Sequence, residues 1–242
     1  MKHTITDYRE HRPWPMPSRP WVMFQRWEHL LFAHWRVPAD VLTPYIPTGL
    51  NLDTYEGQAY VGVVPFLMRN IHPRGLFPVP YLSHFAELNV RTYVTDGEKR
   101  GVWFFSLDAA NPIGVWLGRN WFHLPYFNAT MPADIQGETV YYGCQRTHRD
   151  AAPATFNATY RPTSSPFFAQ AGTLEHFLTE RYCLYTTTGG RLQRGEIHHA
   201  PWSLQHADAT ITANTMPPFA LPDESPLLIY AAGIDVVVWP LA

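Results

Sequence analysis

HFAELNVRTYVT, running from His84 to Thr95, is the stretch on which the reading of this chain turns. Successive side chains of a strand point to opposite faces. Glu87, Asn89, Arg91 and Tyr93 therefore share one face, and Ala86, Leu88, Val90 and Val94 share the other. The turn Asp96-Gly97-Glu98-Lys99-Arg100-Gly101 and the run VWFFSLD, Val102 to Asp108, complete a hairpin. Such a hairpin builds antiparallel sheet.

Strand character recurs on both sides of it. Trp27 to Val37 and Gln58 to Met68 precede it, with Gly62 and Pro65 pointing to a bulge or an edge in the second run. Residues 139–148, 154–161, 181–188, 191–198, 203–214 and 227–238 follow, and Gly189-Gly190 marks a hairpin turn. Helices are expected after Pro38, over Ile113 to Phe122 with Asn111 as N-cap, and over Leu174 to Glu180. No repeated strand–helix–strand rhythm is present, so the fold expected is a β-rich α+β domain of antiparallel strands with two or three short helices. Residues 1–20 are polar and proline-rich and read as an N-terminal arm, leaving 21–242 as one domain.

Composition narrows the function. The 242 residues are 46% hydrophobic and 16% charged, with a net charge of −2, which gives nucleic acid no basic face to bind. The 23 prolines break the chain into short elements. Neither a signal peptide nor an apolar run of membrane-spanning length stands out, so a cytoplasmic protein without membrane contact is expected. Cys144 and Cys183 are expected to be free thiols. The twelve histidines are scattered, and His198-His199 point to opposite faces of a strand, so neither a metal nor a cofactor is expected.

Glu87 and Arg91 are the first candidates for chemistry. If their face points inward, a carboxylate and a guanidinium must pair, hydrogen-bond or bind a ligand. If it points outward, the two are simply solvated. Arg119 either projects from an amphipathic helix into water or reaches a cleft. Glu180-Arg181-Tyr182 and His198-His-Ala-Pro-Trp202 are further polar–aromatic clusters.

These residues, in order, resemble the YqjF-like family of uncharacterised bacterial proteins. The resemblance rests on LLFAHWRV (30–37), GQAYVGVVPF (57–66), FAELNVRTY (85–93), GVWFFSLD (101–108), ERYCLY (180–185) and HHAPW (198–202). That family is similar to acetoacetate decarboxylase. The similarity implies a cone-shaped, partly closed antiparallel β-barrel with an internal pocket, and a possible homo-oligomer. It also implies that Glu87, Arg91, Arg119, Tyr126, Glu180 and His199 gather at one cavity. Glu87 and Tyr126 would be catalytic, and the other four would bind a small molecule such as a carboxylate. The decarboxylase works through a pocket lysine, whose place Tyr126 takes here. Only Lys2 and Lys99 are lysines, one in the arm and one in a charged turn where water is expected to solvate it. Schiff-base decarboxylation is therefore not expected. Lysine-free acid–base chemistry on a carbonyl or carboxylate compound, a non-catalytic metabolite-binding protein and a purely structural barrel all stay open.

Overall fold

The computed structural model describes residues 5–79 and 82–242. The strands are β1 (Met23–Val37), β2 (Asn51–Leu52), β3 (Ala59–Pro73), β4 (Phe85–Thr95), β5 (Arg100–Ala109), β6 (Tyr126–Thr130) and β7 (Ala133–Gln136), then β8 (Thr139–Arg146), β9 (Thr155–Pro162), β10 (Phe167–Phe168), β11 (Cys183–Thr188), β12 (Arg191–His198), β13 (Ser203–Asn214) and β14 (Leu227–Leu241). Among the described residues three short α-helices interrupt them: α1 (Ala39–Leu42), α2 (Pro112–Trp121) and α3 (Leu174–Thr179). All the strands belong to one large sheet, so the β-rich α+β expectation holds.

The sheet is mixed rather than wholly antiparallel. β5 runs parallel to both β6 and β11, while β1, β3 and β4 pair antiparallel. The parallel β5–β6 pair follows from its connection. The Asn111 side chain accepts the amides of Ile113 and Gly114 and starts α2. That helix carries the chain across, so β6 re-enters alongside β5 in the same direction.

β3 is not an edge strand, because it lies between β1 and β4. Pro65 is tolerated there through an irregularity in the neighbour. The β1–β3 register shifts between Glu28 and Ala33, and His29 in that stretch has φ 53°. Pro65 thus has no register partner on β1, where a missing N–H would break a ladder bond.

The alternation of β1, β3 and β4 sorts their side chains into two packed layers. Leu30, Phe32, Val64 and Phe66 face Trp202, Leu204 and Ile229. Leu31, Ala33, Val63, Leu88 and Val90 face Val140, Phe156 and Tyr160 of β8 and β9. Strands covered on both faces read as nearly continuous apolar runs, which LLFA and VGVV are. The same double covering decides the open question on β4: Glu87 and Arg91, only 2% and 8% exposed, are buried.

The arm packs firmly. Arg12 and the Trp14 indole both donate to Glu196 on β12, and Lys99 reaches the other carboxylate oxygen at 2.5 Å. Lys99 is thus an ion-pair partner and not the freely solvated residue its turn suggested. Lys2 lies outside the described residues. Cys144 and Cys183 are free and buried. Among the described residues, no helix is long and apolar enough to cross a membrane.

Candidate functional site

A cavity of about 180 Å³ lies between the inner face of β1, β3, β4 and β5 and the helix α2. Most of its wall is apolar, with Leu30, Phe32, Phe66, Phe104, Leu117 and Phe122 among the lining residues. The polar groups enter from few places. β1 supplies Gln25, β4 supplies Glu87, Asn89 and Arg91, the start of β6 supplies Tyr126, and the end of α3 with the turn after it supplies Thr179 and Arg181. His199 and Trp202 come from the bend after β12.

Glu87 is bound by the Tyr126 hydroxyl, which donates to Oε2 at 3.1 Å. Its backbone is held as well, because the Tyr142 hydroxyl donates to the Glu87 carbonyl at 2.7 Å. Burial pushes the Glu87 carboxyl up to about 8, against the opposing effect of the Tyr126 hydrogen bond. Nearby Asp108 pushes the same way. Arg146 holds Asp108 with two hydrogen bonds, at 2.7 and 2.8 Å. Glu87 is therefore mainly protonated at neutral pH. Burial and the neighbouring Glu87 together raise the Tyr126 phenol well above its ordinary value, which keeps it a neutral donor.

Arg91 is placed differently from every other buried arginine nearby. Arg181 is paired with Asp53 at 2.6 Å, and Arg146 with Asp108. Arg91 has no carboxylate within ion-pair distance among the described residues. Its guanidinium lies over the Phe32 and Tyr93 rings, 5.3 and 5.9 Å from their centroids. Nη2 reaches the Leu178 carbonyl at 3.4 Å, the guanidinium also meets the Tyr93 hydroxyl, and Nε finds no hydrogen-bond partner among the described residues. Asn89 Oδ1 and the Trp202 indole N–H, on the same cavity wall, are also without partners. Buried polar atoms are rarely left so, and all three belong to residues that line this cavity.

His199 lines the cavity, stacked on Tyr182 at 4.7 Å between centroids. Its Nδ1 lies 2.7 Å from the Ala200 carbonyl and its Nε2 3.2 Å from the Arg181 carbonyl; burial lowers its pKa, so the neutral ring donates to one of the two and adds no charge. His198 turns the other way, toward the arm, where it meets the Ile5 carbonyl at 2.9 Å.

Two of the six anticipated residues lie elsewhere. Arg119 is exposed on α2, and its Nη1 donates to the Tyr126 carbonyl at 2.7 Å. It braces the chain that carries Tyr126 and does not line the cavity. Glu180 points away as well, accepting from the Tyr182 hydroxyl and the Trp202 amide. Thr179 and Arg181 on either side of it line the cavity, because the chain turns tightly at Glu180, where the Arg181 amide donates to the Thr179 carbonyl at 3.0 Å. Among the described residues no cluster of histidine, cysteine, aspartate or glutamate has the grouping of a metal site.

Residues 24–235 match the DUF2071 family, described as an uncharacterized conserved protein. The chain belongs to this family. A relative with the same span is the uncharacterized protein YqjF of Bacillus subtilis, 43% identical over 240 residues and covering 98% of both chains. Two solved structures share the fold at low identity. An acetoacetate decarboxylase-like enzyme from Sphingomonas wittichii RW1 superposes with a TM-score of 0.63 at 14% identity, covering 96% of each chain. Acetoacetate decarboxylase from Legionella pneumophila gives 0.62 at 12%, covering 98% of this chain and 94% of the other.

The DUF2071 cavity also contains residues that the sequence reading passed over. Arg181 stood inside the motif Glu180-Arg181-Tyr182, and choosing the neighbouring carboxylate missed it. Trp202 stood inside the cluster His198-His-Ala-Pro-Trp202, of which only His199 was placed at the cavity; Thr179 had no sequence signal of its own, since it reaches the cavity only through where α3 ends.

Proposed function

We propose that this chain binds a small monocarboxylate in the cavity and moves a proton at a carbonyl group of that molecule. The observation that carries the reading is the buried Arg91 guanidinium, without a carboxylate partner, on the same cavity wall as a protonated Glu87. The charge balance supports a monoanion. Glu87 and His199 are neutral, Arg181 is matched by Asp53, and Arg91 leaves one positive charge for the ligand to balance. Arginine and carboxylate pair through charge-assisted hydrogen bonds, which strengthen away from water.

In this reading the strand pairings close as a partial barrel around the cavity, and the protein is cytoplasmic, which suits its two free thiols. Glu87 gives its proton to the carbonyl oxygen while water takes one from the adjacent carbon, forming an enol. Reversal returns both protons. The Tyr126 hydroxyl steadies Glu87 while its carboxyl is ionised. No imine is involved, because Lys99 is held by Glu196 outside the cavity. Acetoacetate decarboxylase, a structural neighbour, is named for a carboxylate substrate, which favours a carboxylate here.

Thermal shift with a panel of small oxo acids, the carbonyl set at increasing distance from the carboxylate, tests the binding. Some acid should raise the Tm of the wild type, and Arg91→Met should abolish that shift. Removing a buried charge that has no partner should leave the unliganded variant at least as stable as the wild type. Proton NMR in D2O tests the chemistry. Deuterium should enter next to the carbonyl of the bound acid, and Glu87→Gln should stop it while binding persists. Binding without exchange for every acid would make the chain a carrier; stabilisation that survives Arg91→Met would put the anion site elsewhere.

A further inference from the structure

The cavity is polarised from end to end, and its polarity assigns the ligand an orientation. The inward residues of β4 run Phe85, Glu87, Asn89, Arg91 in order. Alternate residues of a strand are about 6.8 Å apart, so this row is a ladder from an apolar rung to a cationic one. At the Arg91 end the cavity is closed: Phe32, Tyr93 and Leu178, the groups that touch the guanidinium, are completely buried. At the Phe85 end it reaches the surface. Phe85 packs against α2 at Gly114, and the lining residues Ile113 and Leu82 are 52% and 38% exposed. Met23, Met68, Ile71 and Leu117 also line the cavity without a hydrogen-bonding group beyond a thioether, and the one amide among them, Gln25, is taken up by the Trp27 indole at 2.9 Å and the Met23 sulfur at 3.2 Å.

We propose, resting on the reading above, that the ligand is an amphiphilic monocarboxylate. Its carboxylate lies at the closed end against Arg91, its carbonyl sits part-way along beside Glu87, and its apolar chain runs on past Phe85 to the mouth at Ile113 and Leu82. A short acid such as butyrate leaves the apolar half of the wall bare. The enclosed volume equals roughly six water molecules, so a longer chain fills the cavity and then emerges between α2 and the Leu82 side. Tail burial supplies affinity, and the single cation fixes which end goes in first.

Isothermal titration with straight-chain acids from acetate to decanoate, and with the matching alcohols, tests the assignment. Kd should fall about fourfold per methylene until the tail passes the mouth, then level off. The alcohols should bind more weakly than the acids at every length. Ile113→Glu, at an exposed position that the fold tolerates, should weaken octanoate by a larger factor than butyrate. Affinity that does not depend on chain length, yet is lost in Arg91→Met, would overturn the tail while leaving the anion site standing. Alcohols that bind as tightly as acids would overturn the buried-head orientation. If no acid of any length binds, the carboxylate reading falls with it.

Discussion

Burial brings the ionisation of Glu87 close to neutral pH, and this links the cavity to the stability of the fold. The carboxyl titrates near 8 in the folded protein and near 4.5 when unfolded. Between those values the folded state keeps a proton that the unfolded state has released, so stability falls as pH rises through that window. Below it both states are protonated, and above it both are ionised. The contribution is on the order of 3–5 kcal/mol across the window. Glu87→Gln should remove it. Melts from pH 5 to 9 should show the wild-type Tm dropping more steeply than that of the variant, with the variant the more stable at pH 9; parallel curves would place the proton elsewhere. The spacing of Glu87 and Arg91 on one face was legible in the alternation of HFAELNVRTYVT. That the face is buried was not, since it depends on residues after α3 and β12 that no local pattern brings there.

At the scale of elements, α2 and β6 act as one unit. A Cβ built on Gly118 would stand 2.3 Å from Tyr126 Cδ2. The helix therefore approaches the ring as closely as it does only because residue 118 is glycine. Tyr126 is clamped between this glycine and the Arg119 bond to its own carbonyl. Gly118→Ala should force the ring away from Glu87 and cost about 1–3 kcal/mol in urea denaturation, through overpacking. It should also weaken carboxylate-induced stabilisation. A variant as stable as the wild type would show that the ring has room to move. The Asn111 cap and the helix length were readable in sequence. The parallel return of β6 was not, because Tyr126 to Thr130 is short and its direction is set by the helix before it. Glu180 shows the same limit: the motif was visible, but which member faced inward depended on where α3 ended.

At the scale of the whole molecule, Glu196 fastens the N-terminal arm to the sheet. It accepts from Arg12, Trp14 and Lys99, with Arg194 nearby at 3.6 Å. Arg12 is almost fully buried, so losing its partner strands a charge. Glu196→Gln should destabilise the fold by about 3 kcal/mol and open the arm to trypsin at Arg9 and Arg12 before any other cleavage. An arm that stays resistant would mean that its other contacts suffice. Composition revealed the arm but not its anchor, since Lys99 and Glu196 lie in separate hairpins and meet only in the folded sheet.

β1 sits between β3 and β14, with Met23 opposite both Pro73 and Val238. During synthesis its first neighbour arrives within seconds, and its second only after most of the remaining chain has left the ribosome. Throughout that wait, one edge of an apolar strand has unfilled backbone bonds and is open to wrong partners. Pairing across so long a separation also places this protein among slow folders, in the millisecond-to-second range. The step that seals the cavity wall is therefore among the last, so a nascent chain has no finished cavity until β14 docks.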